Sequence, residues 1–312
     1  MGQFLNDSTT SGFLLLAISI HPELQYLLTV FFLSAYMMTL LGNLLIVLLI
    51  HLDPNLLHAP MYFFLKHLLL ADVGYTSAIV PKMLQTLLSK SMAISYGGCF
   101  AQMYFFIAFA NTDSFLLASM AYDRYVAICY PLHYATVMSH KRCLLMAVIS
   151  WAVSLILSLM YTVLASQLSF CVTKQVPHFF CDIQPLMRIS CSDTKPLQTL
   201  LMTQGLVDVS TPFLLIVVSY ACIFYVVMKV PSTARKLKAL STCGSHLTVV
   251  FLFYSTLIWV YFQPPSKKAG RKDTVAAILY TVVTPLLNPF IYALRNDEIK
   301  GALRRVLRRR KH

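Results

Sequence analysis

Charge is what this sequence has least of. Asp, Glu, Lys and Arg make up 12% of its 312 residues, where an ordinary soluble domain carries about a quarter. A water-soluble surface cannot be built from so few charges. Marks of enzyme chemistry are also missing from the sequence: no glycine-rich phosphate loop, no serine elbow and no histidine pair four residues apart on a helix. No segment repeats, which argues against a transporter built from paired halves. Residues 274 to 294 contain no lysine, so a retinal Schiff base in the last apolar segment is excluded.

What is abundant is apolar residue, at 58%, laid down in long blocks along nearly the whole chain. A membrane-crossing helix needs about 20 mainly apolar residues. Seven segments qualify, at 24–50, 58–81, 96–130, 142–168, 197–228, 236–262 and 273–294. The expected architecture is therefore one all-α membrane domain spanning 1–312. It comprises an N-terminal segment 1–23, a seven-helix bundle 24–294 and a cytosolic amphipathic helix with a basic tail, 295–312.

The formal net charge of +13 can signal nucleic acid or an anionic membrane surface. Position decides for the membrane and against nucleic acid, because Arg304, Arg305, Arg308, Arg309, Arg310 and Lys311 directly follow the last apolar block. Basic residues of the short loops place the N-terminus outside the cell, with a moderate bias. Met1 to Ser11 lacks the features of a cleavable signal, so the first span is expected to act as the signal anchor. Asn6-Asp7-Ser8 is a glycosylation sequon on the outer side, and a sugar is expected on Asn6. The apolar run from Phe13 to Ile20 is too short to cross.

Cys99, Cys171, Cys181 and Cys191 all fall on the outer, oxidising face, which suggests two bridges. Cys129, Cys143, Cys222 and Cys243 lie in or near the cytosolic half and are expected to stay free thiols. Ile299, Ala302, Leu303, Val306 and Leu307 recur at helical spacing among basic residues, a pattern that lies on a membrane surface. No cysteine follows for palmitoylation, so attachment is expected to rest on apolar burial and charge. Three acids, Asp72, Asp113 and Asp208, stand inside apolar spans, where ionisable groups are costly and function is the default suspicion. The plain alternative is that each is protonated, or satisfied by neighbouring polar groups.

Six sequence blocks then resemble the odorant (olfactory) receptors, a family of rhodopsin-like G-protein-coupled receptors, and in particular their tetrapod type. They are Gly42-Asn43, Leu57-His58-Ala59-Pro60-Met61-Tyr62-Phe63-Phe64-Leu65, Met120-Ala121-Tyr122-Asp123-Arg124-Tyr125-Val126-Ala127-Ile128-Cys129, Ser219-Tyr220, Lys238-Ala239-Leu240-Ser241-Thr242-Cys243-Gly244-Ser245-His246 and Pro285-Leu286-Leu287-Asn288-Pro289-Phe290-Ile291-Tyr292. They occur in family order from the first helix to the seventh.

The resemblance implies bridges Cys99–Cys181 and Cys171–Cys191. It implies that Asp123, Arg124 and Tyr125 form the G-protein end of the third helix, with Tyr220, Lys238, His246, Asn288, Pro289 and Tyr292 in the activation machinery. Relatives outside the odorant receptors hold the sixth helix with an acid at its start. Here that stretch reads Arg235-Lys236-Leu237-Lys238, so Tyr220 and His246 are expected to contribute another contact. Family analogy also brings Asp72, Asp113, Asn43 and Asn288 together in mid-bundle, an oxygen-rich pocket of the kind hard cations accept, with sodium as the expected ion.

The expected ligand is a small, mostly apolar volatile molecule bound between outer helix halves. Candidate lining residues share helix faces: Met103, Phe106, Ile107, Ala110 and Asn111 on the third helix, and Gln204, Val207 and Asp208 on the fifth. Tyr254, Leu257, Ile258 and Tyr261 on the sixth helix and Ile278 and Thr281 on the seventh complete the set. The plain alternative for each apolar member is packing alone. The implied partner is a stimulatory G protein of the olfactory type that raises cyclic AMP. The implied location is the plasma membrane of olfactory cilia.

Overall fold

The computed structural model describes residues 12–16, 22–89, 91–261 and 270–309. Asn6 lies outside them, as do the side chains of Lys238 and Tyr261. Seven helices are long and apolar enough to cross a membrane. They are α1 (Pro22–Leu52), α3 (Pro60–Ser89), α4 (Tyr96–Cys129), α6 (His140–Ser166), α8 (Lys195–Lys229), α9 (Thr233–Tyr261) and a seventh built from α10 (Gly270–Ile278) and α11 (Thr284–Arg295). Short helices α2 (Pro54–Leu57), α5 (Tyr134–Val137) and α7 (Ile183–Ile189) lie in the loops, and α12 (Asp297–Arg309) follows the bundle.

The second helix runs past the expected limit at residue 81, because Pro81 sits inside it without ending it. Proline is tolerated in membrane helices, where neighbouring groups satisfy the freed carbonyl. In the seventh helix, a π-turn at Leu279–Val283 joins α10 to α11 just before Pro285. Such bulges are common near functional sites. The bundle's inner half packs Leu65, Leu68, Leu116, Leu117, Val249 and Tyr292 into one apolar cluster.

On the outer side, Gly12–Leu15 forms strand β1, although sequence reading saw there only a run too short to span. It lies between β2 (Ala93–Ser95), to which it is antiparallel, and β3 (Gln175–Val176), to which it is parallel. Phe13 and Leu15 are fully buried. The Phe13 ring meets Tyr96 and Phe170 edge-on, with centroids 4.7 and 4.8 Å away. A Cβ at position 12 would overlap the Ile94 carbonyl oxygen, so only glycine admits this strand so close to β2. Cys99–Cys181 ties α4 to the loop, and Cys171–Cys191 closes the loop on itself. Cys129, Cys143, Cys222 and Cys243 are free.

Helix α12 buries Ile299 and Ala302 against the bundle. Charge and hydrogen bonds add to this apolar attachment. Arg305 Nε donates to Asp53 Oδ2 at 2.7 Å, and Tyr62 donates its hydroxyl to Glu298 Oε2 at 2.7 Å. The guanidinium beside it holds the Asp53 carboxyl below the usual carboxylate range, with the Asn55 amide helping and burial opposing. This clasp persists at neutral pH and is lost only in acid.

The outer loop carries a second titratable element. The His178 ring stacks on Phe179 and meets Phe180 edge-on, with centroids 4.7 and 4.5 Å away, and its Nδ1 is buried without a partner. Burial, opposed by a backbone bond to Phe180 and helped by Arg188, pushes its pKa down from 6.5 to about 4. The unfolded loop therefore binds more protons between these values, so stability is complete above 6.5 and is lost as pH falls toward 4. Hydrogen-exchange protection across residues 169–191, corrected for the intrinsic pH dependence of exchange, should fall over that window by up to about 3 kcal/mol. In His178→Phe the corrected protection should not vary with pH there; an unchanged pH dependence would assign it to another group.

Candidate functional site

A cavity of about 920 Å³ opens between the outer halves of α4, α6, α8, α9 and the seventh helix, under α7. Its wall is mainly apolar and includes Phe106, Ile107 and Ala110 of α4 and Phe253 and Leu257 of α9. Polar groups interrupt it at Asn111, Tyr161, Asp182 and Asp208, and its floor reaches Asp72 and Asp113. The size and mixed lining are those of a small-molecule site.

Of the sequence candidates, Phe106, Ile107, Ala110, Asn111, Asp208 and Leu257 line this space. Gln204 stands one turn from Asp208 and donates Nε2 to its Oδ1 at 3.0 Å. Met103 is buried in the outer core beside Cys99, Cys181 and Tyr161. Tyr254 sits lower, with its hydroxyl 2.8 Å from Ser114 Oγ. Ile278 packs at the edge of the cluster around Phe106, and Thr281 donates to the Ala277 carbonyl at 2.6 Å. Val207 and Ile258 are 51% and 48% exposed on outward faces and do not line the cavity. The inward stripes pass instead through Val209 on α8 and Thr256 on α9, because helical spacing fixes the period of a face but not which face turns inward.

Sequence reading missed Tyr161. It reaches from α6 to donate its hydroxyl to Asp208 Oδ2 at 3.3 Å, so both carboxylate oxygens accept a bond. It also missed α7 as the cavity's outer rim, where Asp182 caps the helix by accepting from the Ile183 amide at 2.7 Å. A tyrosine in an apolar helix carries no signal of its partner, and seven residues between cysteines carry little helical signal.

The mid-bundle residues converge. Asn288 donates Nδ2 to Asp72 Oδ2 at 2.9 Å, and Asn43 donates Nδ2 to the Pro285 carbonyl at 3.3 Å. At Gly42 an added Cβ would come 3.1 Å from the Pro289 ring, so this glycine lets the first and seventh helices approach and Asn43 reach across. Three buried acceptors, Asn43 Oδ1, Asp113 Oδ1 and Asn288 Oδ1, have no partner. Unpartnered oxygens around a carboxylate suit a hard cation. No three His, Cys, Asp or Glu side chains gather among the described residues, so an ion here would depend on amide oxygens.

Toward the cytosol, Asp123 accepts the Tyr134 hydroxyl at 2.8 Å. Arg124 Nη2 is directed at Met61 Sδ, while its Nε is buried without a partner. Tyr125 packs in the small apolar cluster with Tyr220 and Cys243. His246 bridges three helices: Nδ1 lies 2.7 Å from the Tyr220 hydroxyl and Nε2 lies 3.1 Å from the Leu117 carbonyl. A carbonyl can only accept, so Nε2 carries the hydrogen and Nδ1 accepts from Tyr220. Tyr292 is fully buried with its hydroxyl unpartnered.

A seven-helix membrane bundle with an outer ligand-sized cavity and an arginine at the cytosolic end of its third helix has the form of a rhodopsin-like receptor. The family model described as olfactory receptor matches residues 32–310. Olfactory receptor 1J1 of Homo sapiens is 52% identical over 304 residues, covering 97% of this chain and 94% of the relative. Its Mus musculus namesake is 51% identical over 302 residues, 97% of this chain and 96% of the relative. Olfactory receptor 1L4 of Homo sapiens is 53% identical over 303 residues, 97% of both chains. The chain belongs to the olfactory receptor family. It is accordingly a multi-pass plasma-membrane receptor and not an enzyme, and odorant binding and G-protein coupling come with the family.

The Tyr161–Asp208 bond is testable apart from signalling. A double-mutant cycle of Tyr161→Phe and Asp208→Asn, read as thermal stability in lipid nanodiscs, should show coupling of about 0.6 kcal/mol. Additive single losses would mean the two side chains do not support one another.

Proposed function

We propose that this receptor binds a small volatile molecule, mostly apolar with a polar head, in the outer cavity, and activates a stimulatory olfactory-type G protein that raises cyclic AMP in olfactory cilia. The observation that carries the reading is the cavity itself, which runs from Asp208 beneath the outer loop down to Asp72 and Asp113. In the resting state Tyr220, His246 and the Leu117 carbonyl hold the fifth, sixth and third helices together. Leu117 lies seven residues before Arg124, about 10 Å along the helix. Ligand binding that favours outward movement of the sixth helix breaks this link and frees Arg124 for the G protein. The energy needed is the ligand's differential affinity for the two arrangements.

The expected outcome for Arg124→Ala is loss of odorant-evoked cyclic AMP at normal surface expression. For His246→Phe it is a several-fold rise in basal cyclic AMP, since a two-bond link worth about 1 kcal/mol per bond is removed. Wild-type amplitude in Arg124→Ala, or an unchanged basal level in His246→Phe, would overturn the respective role.

We also propose that sodium occupies the space among Asp72, Asp113, Asn43 and Asn288, where it would offset the two acids and satisfy the unpartnered oxygens. Purified receptor should melt higher in sodium chloride than in N-methylglucamine chloride; an ion at ten times its Kd adds about 1.4 kcal/mol. Asp113→Asn should abolish the difference. An equal response to both salts in the wild type would remove the ion from the account.

A further inference from the structure

Among the described residues, the cavity is lined by four aspartates, Asp72, Asp113, Asp182 and Asp208, and by no lysine, arginine or histidine. Asp182 is engaged as the cap of α7. Asp72 and Asp113 form the floor, where Asp113 is 5% exposed with Oδ1 unpartnered. Asp208 is 6% exposed on the wall, and its only described partners are the neutral donors Gln204 and Tyr161. Two neutral donors, one on each oxygen, favour a carboxylate over a protonated acid. They supply no positive charge, and an anion enclosed away from water without a counter-charge is costly. With a sodium ion at the floor, the wall carboxylate still lacks a cation.

We propose that the agonist class is the aliphatic primary amines in their protonated form, with the ammonium on Asp208 and the hydrocarbon tail along Phe106, Ile107, Ala110 and Leu257. The inference rests on the receptor reading and narrows it from any polar-headed volatile to a cation. An ammonium offers three donors and a full charge, so it can meet the lone pairs left on Asp208 and balance its charge. An alcohol of equal length supplies one neutral donor to a carboxylate that already has two. A carboxylic acid, ionised at neutral pH, would bring another negative group to a chamber whose described lining holds four aspartates and no basic side chain.

The test compares straight-chain primary amines with alcohols of matched length on the full receptor, with responses normalised to surface expression. An ammonium–carboxylate contact adds ion pairing to the hydrogen bond that an alcohol also makes, which should give the amines roughly tenfold to hundredfold greater potency. Asp208→Asn should remove that advantage while moving alcohol potency less than about threefold, and Asp208→Glu should retain most of it. In parallel, the melting temperature of purified receptor in nanodiscs reads binding without the G protein, and amines should raise it where alcohols do not. Neutral odorants that signal through Arg124 while amines neither signal nor stabilise would overturn the amine class and leave the receptor reading intact. Stabilisation by amines with no cyclic AMP response to any odorant would support the ligand class and overturn the signalling reading. Equal loss of amine and alcohol potency in Asp208→Asn would overturn the contact.

Discussion

The hydrocarbon of a bilayer offers no water to a buried donor or acceptor, so every polar atom inside the spans must be answered by another part of the protein. That constraint explains why the polar residues of this chain are sited where they are. Thr39, Thr76, Thr112 and Ser154 turn back to carbonyls one helical turn earlier on their own helices, which satisfies them locally. The groups that cannot be satisfied in this way collect at the cavity and beneath it. Asp208 is answered by Gln204 on its own helix and Tyr161 on another, Asp72 by Asn288, and Asn43 by the Thr39 and Pro285 carbonyls, one on its own helix and one on the seventh. Among the described residues, polar atoms left over after this pairing include Asn43 Oδ1, Asp113 Oδ1 and Asn288 Oδ1 in mid-bundle and Arg124 Nε nearer the cytosol.

The same economy shapes the cytosolic half. An acid at the start of the sixth helix is absent, so the charge of Arg124 has no carboxylate on that helix to meet. His246 instead joins the sixth helix to the fifth and third, and its tautomer is dictated by the Leu117 carbonyl on one side. Such a link is weaker than a buried ion pair that has lost its water, and it is directional: withdrawing the sixth helix breaks both of its bonds together. A switch that must respond to a small ligand gains from a holding contact of a few hydrogen bonds, because a ligand can shift an equilibrium only by its differential affinity for the two states.

Seven spans, their order and the free cytosolic thiols were legible from apolar block length and cysteine position, since both follow from the solvent on each side. Helix faces were legible only in part. Phe106, Ile107, Ala110 and Asn111 keep an inward stripe on α4, the most enclosed of the seven. On α8 and α9, where one face meets lipid, an apolar outward residue such as Val207 or Ile258 looks the same in sequence as an inward one. Strand β1 was illegible because its partners come from two distant loops, and its single local sign was a glycine before a run of large apolar residues. The clasp between α12 and the first cytosolic loop was hidden for a related reason: Asp53 and Arg305 are 252 positions apart.

That clasp bears on how the two ends of the molecule are joined. Met61 and Tyr62 are neighbours in one turn of α3, one pointing at Arg124 and the other at Glu298 on α12. The turn therefore contacts both the third-helix arginine and the helix that lies along the membrane surface. The Met61 contact to Arg124 thus sits one residue from the Tyr62 anchor, while Asp53 holds the far end of α12 to the first loop. The motif from Leu57 to Leu65 gains a physical reading from this: small Ala59 and Pro60 start the helix, and the next two side chains divide between Arg124 and Glu298 of α12.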